Sequence, residues 1–188
     1  MALLVAGFGV GFGGMYKYVG PRAAEISRPL EQFVSQSASA SSAPAPADPA
    51  LVKKLEDQLK ADPKNFEALR QLGNLRYDER NYAEAAALYG KALQVRPDDA
   101  DVRSDRGGAL LQSRQTDEAI QELQAVLAKN PTHPQALFIL GVALIEGKGD
   151  REGALANWRK LVASHPELPE LDAVKRQIQQ VEELTRRK

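Results

Sequence analysis

Few side chains in this sequence belong to the types that perform covalent or metal chemistry, so each can be weighed in turn. It has two histidines, His133 and His165, and no cysteine. The histidines stand beside Pro134 and Pro166, too far apart in sequence for a local metal pair and without a thiolate partner. A helix cap or a surface position accounts for each of them. Asp98, Asp99 and Asp101 gather three carboxylates but lack the glycine and distal glutamate of a calcium loop, and acidic residues at a helix start are explained by the helix dipole. The run Gly9-Val10-Gly11-Phe12-Gly13-Gly14 fits GxGxxG in form only. A dinucleotide fingerprint needs a strand before it, a helix after it and an acidic residue about 20 positions on, and here the chain runs into Pro, Ala and Ser. Disulfides and thiol redox chemistry are excluded with cysteine. The 25 basic side chains balance 25 acidic ones, so no general pull toward nucleic acid is expected. The residues therefore predict no enzyme, no cofactor, no metal and no nucleic-acid partner.

What would position a site is an array of helices. Gly73, Gly107 and Gly141 recur at steps of 34, while Pro63, Pro97, Pro131 and Pro166, and Ala85, Ala119 and Ala154, keep steps of 34 and then 35. A period of this size marks stacked supersecondary units. Within the first unit Leu69, Leu72 and Leu75, then Leu88, Ala92, Leu93 and Val95, recur at helical rather than strand spacing. Asn81 is read as the cap between the two helices, and Pro97 ends the second. Small residues at 73, 85 and 92 let the helices approach, with Leu72 and Tyr89 filling the space beside them. Trp158 stands where the first unit has Tyr89, a packing position.

Leu72-Gly73, Tyr77, Tyr82, Ala85, Tyr89, Ala92 and Pro97, echoed by Gly107, Ala119, Leu123 and Pro131 and by Leu140-Gly141, Ala154, Trp158 and Pro166, resemble the tetratricopeptide repeat (TPR) signature. The expected fold is all-α, a TPR helical-hairpin solenoid behind a single N-terminal transmembrane helix. Its parts are an anchor (1–20), a juxtamembrane segment (21–34), an Ala/Ser/Pro linker (35–49), repeats (50–166) and a capping helix (167–188). The repeats divide into a half repeat (50–65) and units 66–99, 100–133 and 134–166. Three departures stand out: Arg103 and Arg106 replace Leu69 and Leu72, Val126 and Leu161 replace Ala92, and the loop Gly147-Lys148-Gly149-Asp150 holds one extra residue. If Arg106 fills the slot of Leu72, Arg106→Leu should raise stability by about 1.5 to 3 kcal/mol.

Outside the repeats, Ala2 to Val19 is apolar or glycine except for Lys17, just long enough to cross a bilayer of about 30 Å. A cleaved signal peptide is the competing reading. Gly7, Gly9, Gly11 and Gly13 have the small-xxx-small spacing that lets membrane helices touch. Ser35 to Pro49 is too poor in large apolar groups to fold. At the start of the repeats, Asp48 and Pro49 read as cap and first turn of a helix with Leu51, Leu55 and Leu59 on one face. At the far end Leu171, Val174, Ile178, Val181 and Leu184 form an apolar stripe suited to a closing helix.

The TPR resemblance implies a groove lined by the first helix of each unit: Arg70, Asn74, Tyr77 and Asp78; Ser104, Gly108, Leu111 and Gln112; Phe138, Val142, Ile145 and Glu146. It would run from a polar, partly basic end to an apolar one and take an extended or helical peptide. Arg70 and Asn74 resemble the start of the carboxylate clamp of chaperone-binding TPR domains, but Asp105, Gln135 and Ile139 stand where that clamp would continue. The anchor, the tether, and Gly141-Val142-Ala143-Leu144, Gly153-Ala154, Trp158 and Pro166-Glu167-Leu168-Pro169 together resemble the TPR portion of bacterial cytochrome c maturation proteins. That likeness implies a single-pass protein of the bacterial inner membrane, its repeats periplasmic and holding apocytochrome c as client. Two alternatives stay open. The chain could be an accessory scaffold of a larger membrane complex, and the positive-inside rule, applied to Lys17, Arg22 and Arg28, would leave the repeats cytoplasmic.

Overall fold

In the computed structural model, residues 48–168 and 171–186 are described. They form eight helices, α1 (Pro49–Ala61), α2 (Phe66–Asp78), α3 (Tyr82–Val95), α4 (Ala100–Gln112), α5 (Thr116–Lys129), α6 (Pro134–Lys148), α7 (Arg151–Ser164) and α8 (Leu171–Arg186), with no strand among the described residues. None of these helices is long and apolar enough to cross a membrane. The expected anchor with Gly7, Gly9, Gly11 and Gly13, the juxtamembrane segment and the linker as far as residue 47 lie outside the described residues. Asp48 and Pro49 are the cap and first residue of α1, as expected from the sequence, so the helix begins within the last two positions of the segment bounded as linker.

The helices begin where short polar side chains can satisfy their free N–H groups. Asp48 Oδ1 accepts from the Ala50 N–H at 2.9 Å, Asn65 from Ala68 at 3.0 Å, and Asp99 from Val102 at 2.9 Å. His133 does the same for α6 through Nδ1, which accepts from the Ala136 N–H at 3.3 Å, and Pro134 follows it. The cap expected of Asn81 is absent. Asn81 occupies the N-cap position of α3 but makes no side-chain cap hydrogen bond, and its amide N–H donates to Glu84 Oε2 at 2.6 Å.

Each hairpin turns through one left-handed residue. Arg80, Arg114 and Gly149 have φ of 62°, 65° and 66°. At each turn the following N–H bonds back into the preceding helix, Asn81 to Arg76 O at 2.8 Å, Gln115 to Leu110 O at 2.8 Å and Asp150 to Leu144 O at 3.0 Å. Only the third turn uses glycine, the residue that adopts this conformation without a Cβ penalty. The third unit's extra residue goes into its first helix: α6 has 15 residues where α2 and α4 have 13, and the turn after it, 149–150, is one residue shorter than 79–81 and 113–115.

Hairpins α2–α3, α4–α5 and α6–α7 stack in chain order, with α1 closing on α2 and α8 on α7. Each closes over a glycine: a Cβ on Gly73 would run into the Tyr89 ring, one on Gly107 into Leu123, and one on Gly141 into Trp158. Trp158 is fully buried, and its indole N–H donates to Phe138 O at 3.1 Å. On α1 only part of the expected stripe is inside: Leu55 is buried and Leu59 packs on the core, but Leu51 is 38 % exposed at the helix start, ahead of the surface that α2 covers. Gln177 joins Leu171, Val174 and Val181 on the buried face of α8.

Arg106 does not sit in an apolar slot. Arg103 Nη1 reaches Glu122 Oε2 of α5 at 2.6 Å, Arg106 pairs with the other oxygen of the same carboxylate, and Arg103 Nη2 also donates to Pro97 O at 2.7 Å. Glu122 is the better shielded partner, and Arg106 Nε is buried without a hydrogen bond. Arg106→Leu therefore loses an ion pair while relieving an unsatisfied donor. The two effects oppose each other, and a gain of the size expected above does not follow.

Candidate peptide groove

The first helices of the three hairpins meet on one side of the stack. A Cβ built on Gly108 of α4 would stand 3.5 Å from Ile139 Cδ1 of α6 and 3.9 Å from the Tyr77 hydroxyl of α2, so three helices converge on the buried Gly108 backbone. Around it, Asn74, Tyr77 and Gln112 are half-buried and Asp78 is exposed. Tyr77 packs edge-on against Tyr82, ring centroids 5.1 Å apart, and Asn74 Oδ1 accepts the Tyr89 hydroxyl at 2.8 Å. Burial holds the Tyr89 hydroxyl well above its ordinary pKa, so Tyr89 serves as a donor that fixes Asn74.

The other expected groove residues divide. Leu111 is nearly enclosed, Ile145 packs at the edge of the core, and Glu146 is exposed. Ser104, Phe138 and Val142 are buried, with 0 % of Val142 accessible. Ser104 spends its hydroxyl on Ala100 O at 2.8 Å. Phe138 lies against Trp158 at a centroid distance of 6.4 Å. The physical reason is that α6 packs against α4, α5 and α7 together, so an all-apolar helix has no face left to line an open wall.

Three residues at the centre were visible in the sequence only as departures from the clamp pattern: Asp105, Gln135 and Ile139. Gln135 Nε2 donates to Asp105 Oδ1 at 2.7 Å, joining α6 to α4. Burial pushes the Asp105 carboxyl up to about 6, with the Gln135 hydrogen bond opposing and the Asp101 charge adding to the rise. Burial, with the Glu79 charge second, also raises Asp78. Arg70 is committed elsewhere: its guanidinium grips Glu67 through Nε at 3.2 Å and Nη2 at 2.7 Å. That hydrogen bond raises Arg70 and lowers Glu67.

The histidines and the acidic trio have structural roles. Because His133 Nδ1 accepts from backbone, its Nε2 carries the ring proton toward Asp101 Oδ1 at 3.0 Å. His165 Nε2 meets Thr132 O, tying the end of α7 to the turn before α6. Asp98 pairs with Lys129, which holds its carboxyl below the usual range, and Asp99 caps α4.

Stacked helical hairpins with polar groups on one shared face define a solenoid-type interaction protein. The tetratricopeptide repeat profile matches residues 76–137 and 110–178, more than half of the sequence, and the chain belongs to the tetratricopeptide repeat family. It is 26% identical over 135 residues to Hsp70-Hsp90 organizing protein 1 of Glycine max, covering 71% of this chain and 23% of that relative. The chain thus spans about a quarter of that protein's length. Among solved structures, MamA from Desulfovibrio magneticus RS-1 (residues 41 to the end) superposes with a TM-score of 0.58 at 20% identity, covering 90% of this chain and 98% of that one. The first TPR of Spaghetti (RPAP3), bound to the HSP90 peptide SRMEEVD, gives 0.58 at 18% identity over 66% and 95%. These structural likenesses carry the fold. Family and fold together make the chain a TPR protein–protein interaction module.

Proposed function

We propose that the module holds a segment of a client polypeptide on the face shared by α2, α4 and α6. The strip of half-buried Asn74, Tyr77, Asp105 and Gln112 along α2 and α4 carries this reading, since these polar side chains can meet a peptide's N–H and C=O groups. Relatives of the chain are named as organizers of other proteins, which supports a holding role over a catalytic one. An unfolded c-type cytochrome precursor is the first client to test, on the strength of the resemblance to cytochrome c maturation proteins carried by Gly141-Val142-Ala143-Leu144, Trp158 and the closing segment. Titration of the full chain with apocytochrome segments should saturate at micromolar concentration and be competed by excess unlabelled peptide. Binding that stays linear to millimolar peptide would overturn the holding role.

A further inference from the structure

Resting on that reading, the charges around the groove indicate what the client must carry. Arg70, the cation at its rim, is neutralised by two hydrogen bonds to Glu67 on its own helix. Asp105 lies at the centre, half-buried, with one oxygen accepting from the neutral amide of Gln135 and no ion pair among the described residues. Asp78 stands nearby on α2, also without an ion pair among the described residues, and Asp101 lies one turn before Asp105 on α4. Next to Asp105 on α4 the buried Gly108 backbone lies under Ile139 and the Tyr77 hydroxyl, and Tyr77 itself stays half-exposed at this face. The Arg70 charge that faces Asp105 is already engaged by Glu67, so the half-buried carboxylate remains costly, and an incoming cation lowers that cost. A ligand such as SRMEEVD, in which three acidic side chains and a terminal carboxylate outweigh one arginine, would place like charges against Asp78, Asp101 and Asp105.

We propose that the groove selects a polypeptide segment bearing a lysine or arginine, whose cationic head sits over Asp105 between α2, α4 and α6. The flanking aliphatic stem can lie along the half-exposed Tyr77 ring, as long basic side chains bury their stems while keeping the charge at polar groups.

The test is fluorescence anisotropy of the full chain with three N-terminally labelled peptides of one length, each with the arginine replaced by alanine: acidic SAMEEVD, its charge-reversed form SAMKKVK with an amidated end, and the neutral SAMAAVA amide. The reversed peptide should bind at least about tenfold tighter than either other peptide at low ionic strength, a difference of 1.4 kcal/mol or more. Asp105→Asn should remove most of that preference while the melting transition stays cooperative, and Asp172→Asn on α8 should leave it intact. Equal binding of all three peptides, or a preference unaffected by Asp105→Asn, overturns the inference and leaves the holding role standing. Failure of all three to bind overturns both.

Discussion

At the residue scale, Asp105 gives the sharpest handle. Its carboxyl is raised to about 6 by burial, with Asp101 and Asp99 adding to the rise and Arg70 and the Gln135 hydrogen bond opposing it. An acid raised on folding binds its proton more tightly in the native state, so stability is lost as pH rises from about 4 through about 6. Asp105→Asn keeps an acceptor for Gln135 and removes this loss. The variant should match the natural protein near pH 4 and exceed it by about 1–2 kcal/mol near pH 7, after discounting for the partial exposure of the carboxyl. Urea denaturation midpoints across that range would show the gap opening, and a constant gap would mean the carboxyl is not buried as described. The same change should weaken binding of a basic peptide, so stability and affinity move in opposite directions at one side chain.

At the element scale, two glycines in similar helical surroundings should respond with opposite sign. Gly141 leaves no room for a methyl against the Trp158 indole, which is pinned by its hydrogen bond to Phe138 O. Gly141→Ala should cost about 1–3 kcal/mol through overpacking. Gly90 on α3 has only Arg106 Nε at 3.5 Å, an ordinary contact, so Gly90→Ala should add about 0.5–1 kcal/mol from helix propensity. Guanidinium midpoints of the two variants would test the pair, and a stabilised Gly141→Ala would overturn the close approach of α6 and α7. The hairpins were legible in the sequence because spacing and small residues are local signals. What spacing could not carry was pairing across the turn: Glu122 lies 16 positions from Arg106, and nothing in the sequence marks it as the partner of two arginines. Nor could it choose a face for α6, because a helix apolar all round fixes no direction; Phe138 and Val142 accordingly went inside.

At the scale of the whole molecule, stability in a stacked array is a sum of unit terms and nearest-neighbour contacts. The helices at the two ends, α1 and α8, each pack chiefly on one neighbour, whereas α4 and α6 touch helices on more than one side. Hydrogen exchange followed by mass spectrometry should find α1 and α8 exchanging first and the α4–α6 region last. Uniform exchange along the chain would mean the array opens as one block. The net charge of zero conceals an uneven surface, since carboxylates crowd the groove while Arg70 is neutralised at its rim. The groove's acidic centre was half legible: Asp105 stood out against the clamp pattern, but its link to Gln135 needed the third hairpin placed beside the second.

The glycine locks have one more consequence. Tyr89 closes on Gly73, Leu123 on Gly107 and Trp158 on Gly141, always inside one hairpin, and Glu122 likewise balances two arginines of its own unit. Each pair of helices thus brings its own fastening when the gene segment encoding it is copied or moved. Duplication can lengthen such a chain without redesigning the joints, leaving the exposed side chains of each new cassette free to diversify.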